Sequence, residues 1–188
     1  MRIISGSFKG FSIDITKEKT TRPLKDITRE SIFNLLAHSN KFSCEIKKCT
    51  VLDLYAGTGS FGLECISRGS SKVLFVENNN EALVNLKKNI SDLSLLHKTA
   101  IYPVDVLKFL KDFDLKKKIE LIFLDPPYKD KNHIKIIEII KEKQILSKDH
   151  ILLLHIEKGK NNKDFTKKLN IIDNRVYGRS EILFFKLF

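Results

Sequence analysis

The sequence predicts an α/β protein built on a doubly wound, mostly parallel sheet, with a C-terminal antiparallel hairpin and a small N-terminal β-hairpin. Three observations carry this. From Thr50 onward, short and strongly apolar runs alternate with stretches of helical periodicity, the pattern of strands covered on both faces by helices. The first of these runs ends in a glycine turn, Gly57-Thr58-Gly59, that opens a helix. The chain then closes on two alternating segments around Tyr177-Gly178-Arg179-Ser180. With 188 residues there is room for one domain, read as a hairpin extension over 1–24, a helix and linker over 25–49, and a core over 50–188.

Taken in order, residues 2–4 and 11–15 alternate apolar and polar and are parted by Gly6 and Lys9-Gly10, which predicts the N-terminal hairpin. Pro23 predicts a helix start just after it, because proline is tolerated in a helix's first turn, and Ile27, Ile32, Leu35 and Leu36 then recur at helical spacing. In the core, a strand at 51–55 precedes a helix to about Arg68, a strand at 73–77 precedes a helix over 81–90, and a strand at 100–103 precedes a helix over 106–113. The fourth strand, 121–124, precedes a helix over 133–143, and a fifth at 151–156 ends the alternation. Segments 171–176 and 181–186 pair as the closing hairpin.

Lys and Arg number 34 against 23 Asp and Glu, a net charge of +11 with a pI near 9.5, which suits a polyanionic partner such as nucleic acid. Only six of the cations are Arg, and richness in Lys, Ile and Asn also follows from genome base composition, so charge alone does not establish a partner. A composition 42% hydrophobic and 30% charged excludes a disordered chain, and apolar runs such as Ile151 to Leu154 are too short to cross a bilayer. The N-terminus lacks the apolar stretch and cleavage site of a signal peptide, which predicts the cytoplasm. Cys44, Cys49 and Cys65 are odd in number and lack a second Cys/His pair at zinc spacing, so they are expected as reduced thiols. The histidines His38, His97, His133, His150 and His155 show no clustered spacing and are expected on the surface or in packing. No metal is expected.

In doubly wound sheets ligands bind at the carboxyl ends of the strands. At the first, Asp53-Leu54-Tyr55-Ala56-Gly57-Thr58-Gly59, the glycines allow a tight turn and a close approach, and the following helix presents free N–H groups. Glu77 ends the second strand 20 positions after Gly57, where an acidic side chain can bind a ribose hydroxyl. Asp53, Ala56, Gly57, Gly59 and Glu77 therefore indicate an adenosine-bearing cofactor. Gly62, three after Gly59, nearly completes a dinucleotide fingerprint, but a carboxylate at Asp53 would repel a pyrophosphate and attract a sulfonium, which favours S-adenosylmethionine over NAD. Asp105 after the third strand is read either as an acceptor for the adenine amine or as a helix N-cap.

After the fourth strand comes Asp125-Pro126-Pro127-Tyr128. Two prolines fix φ in succession and remove both N–H donors, leaving a stiff backbone that offers carbonyls. A nucleobase amine is conjugated and weakly nucleophilic; Asp125 and the Pro126 carbonyl can accept its two hydrogens and aim its lone pair, while Tyr128 offers a ring on which an extruded base stacks.

These motifs, with Glu64 and Ser67-Arg68-Gly69, Arg22-Pro23, Arg29-Glu30-x-x-Phe33-Asn34 and Tyr177-Gly178, resemble the bacterial 16S ribosomal RNA guanine-N2 methyltransferases, over nearly the whole chain. Leu24 departs from the Thr that family usually carries after Arg-Pro. The resemblance implies a Rossmann-like methyltransferase sheet of seven strands, S-adenosylmethionine as donor, and methylation of a guanine N2 amine in assembled or partly assembled small subunits. Lys9, Arg22 and Arg29 of the N-terminal segment are expected to grip the RNA, because the strand ends of a core this small are occupied by cofactor and catalytic loop. The expected form is a monomer that binds neither metal nor membrane. Two alternatives stand beside this reading: a DNA adenine-N6 methyltransferase, for which the chain lacks an extra target-recognition domain, and a catalytically silent RNA-binding factor of ribosome assembly.

Overall fold

The chain is described by a computed structural model over residues 1–16, 26–42, 44–112, 118–127, 129–159, 166–167 and 169–188. Arg22 and Tyr128, two of the expected site residues, and the predicted helix-starting Pro23 lie outside the described residues. The elements in chain order are α1 (Asp26–His38), β1 (Thr50–Leu54), α2 (Ser60–Ser67), β2 (Lys72–Glu77), α3 (Asn80–Asp92), a 3₁₀ turn at Leu96–Lys98, β3 (Thr99–Pro103), α4 (Val106–Asp112), β4 (Ile119–Leu124), α5 (His133–Glu142), β5 (Leu146–Glu157), β6 (Asn170–Tyr177) and β7 (Ser180–Lys186). Seven strands form one sheet in the order β3-β2-β1-β4-β5-β7-β6. The first five named are parallel, and β7 runs antiparallel to both β5 and β6. The order reverses between β1 and β4, the switch point where such sheets open a ligand crevice.

Alternation along the strands divides the core in two. Val51, Phe75, Leu121, Phe123, Ile151 and Leu153 pack with α1, α2, α3 and the N-terminal segment. Leu52, Leu74, Ile122, Leu124, Leu152 and Leu154 pack with α4 and α5 on the other face. Strands buried on both faces explain why they read as continuous apolar runs. No helix is long and apolar enough to cross a membrane among the described residues.

The N-terminal hairpin is minimal. Arg2 and Ser12 form an antiparallel bridge, and Ile3 N–H donates to Phe11 O at 2.9 Å while Ile13 N–H donates to Met1 O at 2.7 Å. What fixes it is α2. Glu64 is fully buried and accepts from Ile4 N–H at 2.7 Å and Ser5 N–H at 3.0 Å, while Ser67 Oγ accepts from Phe8 N–H at 3.0 Å. A Cβ on Gly6 would stand 1.9 Å from the Ser67 carbonyl oxygen, so only glycine lets the hairpin lie this close to the helix.

Two expectations about α1 need correction. Ile27 is 77% exposed, whereas Arg29 is fully buried. At 100° per residue Arg29, Ile32, Phe33 and Leu36 share the inward face and Ile27 lies opposite it. All three cysteines are free and buried, with the Cys44 and Cys49 sulfurs 3.1 Å apart in a thiol hydrogen bond.

Candidate active site

The turn after β1 is held in left-handed backbone at Tyr55 (φ 62°), Gly57 (φ 56°) and Gly59 (φ 85°). Left-handed geometry costs a tyrosine more than a glycine, and Tyr55 is held there by its hydroxyl, which donates to Asp130 Oδ2 at 2.7 Å. The glycines serve different needs. A Cβ on Gly57 would meet nothing within 4 Å, so this is where the loop faces open space and a ligand can approach. At Gly59 a Cβ would stand 2.5 Å from Leu86 Cδ1, and at Gly62 it would stand 2.3 Å from Phe75 Cε1. Gly62 is therefore glycine because α2 lies tight on β2, with no ligand required.

Glu77 ends β2 beside this loop. Its Oε2 accepts from Gly57 N–H at 2.6 Å, and its Oε1 accepts from Asn78 and Asn79 N–H at 2.9 and 2.8 Å. A carboxylate has about four acceptor positions, so three backbone bonds orient it and leave capacity for one further donor. Asp53 is placed otherwise than expected. It is 1% exposed, its Oδ2 accepts from Gly62 N–H at 3.0 Å, and burial pushes its carboxyl well above the usual carboxylate range, with Asp125 and Glu77 adding to the rise. The expectation that its charge attracts a ligand directly is thus corrected: Asp53 ties β1 to the first turn of α2, and the low dielectric around it disfavours the charged form. Asp105 is exposed and its Oδ1 accepts from Lys108 N–H at 3.1 Å, the N-cap alternative of its two readings.

Asp125 follows β4 directly. Because β1 and β4 are neighbours with Leu54 opposite Leu124, Asp125 stands beside the glycine turn, and its N–H donates to Leu54 O at 3.4 Å. Below it, Phe123 stacks on Phe61 at 4.0 Å between centroids, and Phe61 on Phe33 at 5.0 Å, with the Arg68 guanidinium 4.6 Å from the Phe33 ring. Phe33 and Arg68, which the sequence marks as motif residues, thus continue a stack that begins at Phe123, two residues before Asp125. Pro126 is buried, Pro127 is exposed, and the Pro127 carbonyl accepts from Asp130 N–H at 2.7 Å, turning the loop back toward Tyr55.

One neighbour of Asp125 escapes the sequence reading. His155 on β5 is buried, its side chain 6% exposed, and its Nδ1 lies 2.7 Å from Asp125 Oδ1. Leu124 pairs with Leu154 in the parallel register, which places the next residues, Asp125 and His155, side by side. Aligning the ends of the two apolar runs, 121–124 and 151–154, would have found it.

The N-terminal cations part company. Lys9 is exposed at the hairpin turn. Arg29, expected to grip RNA, is removed from the surface: its guanidinium donates to Asp26 Oδ1 at 3.0 Å, to the Arg2 carbonyl and to the Met1 sulfur. This corrects the expectation, because a fully buried group cannot meet a phosphate. Among the described residues no group of three or more His, Cys, Asp or Glu side chains is placed to hold a metal ion.

Comparison with known proteins matches the chain to a family. The family model described as Conserved hypothetical protein 95 matches residues 1–186. Ribosomal RNA small subunit methyltransferase D of Buchnera aphidicola subsp. Acyrthosiphon pisum (strain APS) is 32% identical over 156 residues, 83% of this chain and 78% of its own length. YlbH of Bacillus subtilis (strain 168) is 30% identical over 187 residues, 99% of this chain and 98% of its own. The solved yhhF protein of Escherichia coli superposes with a TM-score of 0.83 at 22% identity, covering 98% of this chain and 96% of that one, and so shares the fold. The chain belongs to the Conserved hypothetical protein 95 family, a bacterial ribosomal RNA methyltransferase family, and is an RNA methyltransferase.

Proposed function

We propose that this enzyme methylates the exocyclic N2 amine of a guanine in 16S ribosomal RNA of the small subunit, with S-adenosylmethionine as donor. The observation that carries this is the juxtaposition of Asp125 with the glycine turn across the β1–β4 pair, which sets an amine-accepting group next to a nucleoside-accepting one. The small-subunit substrate rests on the name of the Buchnera relative and the guanine on the motif resemblance.

The residues fit the donor. Open space at Gly57, and a Glu77 carboxylate held against that glycine with an acceptor position to spare, suit a ribose-bearing ligand. When bound, S-adenosylmethionine supplies an electrophilic methyl carbon activated by its sulfonium. Glu77 accepts from a ribose hydroxyl and Gly57 lets the nucleoside lie against the backbone. Asp125 and the Pro126 carbonyl accept the two amine hydrogens, Tyr128 supports the base, and Asp125 is the carboxylate placed to take the proton the amine sheds. Such positioning recovers about 7–11 kcal/mol of barrier in oriented reactions, so no covalent nucleophile is required.

The test is incubation with labelled S-adenosylmethionine and, separately, unmodified small subunits, naked 16S RNA or duplex DNA, followed by mapping of the labelled nucleotide. Label on a guanine N2 of the subunit or its RNA is expected, and label on DNA adenine would replace this reading by the DNA alternative. Asp125→Ala should abolish transfer while calorimetry shows cofactor affinity within about threefold of the parent, because a residue acting on the transition state alone leaves ground-state binding intact. Appreciable turnover by that variant would remove Asp125 from the mechanism.

A further inference from the structure

Among the described residues, the side chain that hydrogen-bonds the Asp125 carboxylate is His155. Both residues extend the odd-numbered series of their strands, Phe123 to Asp125 and Leu153 to His155, so both project from the same face of the sheet. The Nδ1 to Oδ1 distance is 2.7 Å, His155 is nearly enclosed, and Asp125 keeps a quarter of its side-chain surface open. On its other edge His155 is paired with Ile182 of β7.

An ionised carboxylate is an acceptor only, so the nitrogen facing it carries the hydrogen. The outer torsion of an aspartate is broad and two-fold, so without a fixed donor its two oxygens exchange places and tilt freely. A charge-assisted bond of this length removes that freedom. We infer that His155 is a positioning residue for methyl transfer: by donating from Nδ1 to Asp125 Oδ1 it holds the carboxylate so that Oδ2 faces the acceptor amine. This rests on the reading of Asp125 as the group that orients the amine. His155 touches neither substrate nor donor in this role and acts through Asp125.

Three variants and a double variant decide it. His155→Leu fills the space without a donor; His155→Asn places an amide N–H where Nδ1 stands; Asp125→Ala tests the underlying reading. Each is measured for melting temperature, for S-adenosylhomocysteine affinity by calorimetry, and for single-turnover methyl transfer to unmodified small subunits. A misaligned reacting group costs on the order of 100-fold, so His155→Leu should lose about that factor in rate with product affinity within about threefold of the parent. His155→Asn should restore the rate to within about fivefold, since it keeps the donor. In the Asp125→Ala background, His155→Leu should add nothing to the loss. If the Leu variant does not fold, His155→Gln, whose amide reaches the Nε2 position and not Nδ1, replaces it.

A parent-like rate for His155→Leu beside an inactive Asp125→Ala overturns the inference and leaves Asp125 in place. Equal losses in the Leu and Asn variants at parent melting temperature overturn it too, because the donor then is not what matters. An active Asp125→Ala overturns the reading beneath it, and the inference falls with that reading.

Discussion

Asp53 lies 1% exposed beneath the glycine turn, with Gly62 N–H as a donor to one oxygen and the Asp125 and Glu77 carboxylates close enough to disfavour a third negative charge. Its carboxyl is held well above the usual range chiefly by burial. A raised carboxyl pKa in the folded state means that the native protein keeps a proton the unfolded chain has already released, so stability falls as pH rises from the unfolded carboxyl pKa, about 3.9, toward the folded value. Asp53→Asn keeps an oxygen for Gly62 N–H and carries no charge to bury. Its melting temperature, relative to the parent, should therefore increase from about pH 4 upward and then level off once the parent's Asp53 is fully ionised. Melting curves across that range check this, and a difference independent of pH would show that the site is solvated enough to hold its charge at no cost. Loss of S-adenosylmethionine affinity in Asp53→Asn at neutral pH, with stability gained, would mean that the carboxylate also serves the ligand.

At the scale of elements, α2 is the part that joins the site to the rest of the chain. One side of its first turn rests on β2 through Gly62 and ties to β1 through Asp53; its last turn holds the N-terminal hairpin through Glu64 and Ser67. Asn89 of α3 completes the connection, accepting from Asp14 N–H at 2.9 Å and donating to Asp14 O and to Thr58 O of the glycine turn at 3.1 and 3.0 Å. Arg29 of α1 closes the same segment from the opposite side. Arg29→Ala removes a charged donor from the Arg2 carbonyl and should cost about 1.5–3 kcal/mol of stability, measured by denaturant unfolding, with the loss felt first as faster exchange of the Ile3 and Ile13 amides. Unchanged stability would mean that water satisfies the Arg2 carbonyl equally well. These contacts also show what could be read in advance. Strands β1, β2, β4 and the second half of β5 were legible because burial on both faces leaves a continuous apolar run, and the ligand-facing ends followed from topology. Arg29 was not legible, because an arginine on a helix is ordinarily solvated and nothing local signals that a distant carbonyl and thioether enclose it. His155 was hidden for the converse reason: its partner lies 30 positions away and only the β4–β5 register brings them together.

Taken whole, the molecule carries +11 of net charge around a crevice bordered by the Glu77 and Asp125 carboxylates, with Asp53 buried beneath it and His155 beside Asp125. An RNA must therefore be held away from those carboxylates while a single base reaches them. The N-terminal segment is suited to that task, since it is fastened to α2 and α3 and, through Asn89, to the glycine turn itself. With Arg29 enclosed, the cations left to this segment for phosphate contact are the exposed Lys9 and Arg2, together with Lys17, Lys19 and Arg22 in the part of the segment outside the described residues. Binding of a small-subunit RNA fragment, followed by anisotropy from low to high KCl, should weaken along a straight log–log line, because each phosphate contact releases condensed counterions. Lys9→Ala and Arg22→Ala should each make that line shallower by about one unit and raise the substrate KM while leaving cofactor affinity unchanged. Arg29→Ala, measured well below its melting temperature, should leave the slope at the parent value, because a buried guanidinium contacts no phosphate and so releases no counterions. Parent-like slopes for Lys9→Ala and Arg22→Ala would make the extension a structural clasp and assign the RNA to exposed lysines elsewhere, such as Lys129, Lys131 and Lys135 around the catalytic loop and α5, where the same measurement on their alanine variants would then show the missing unit.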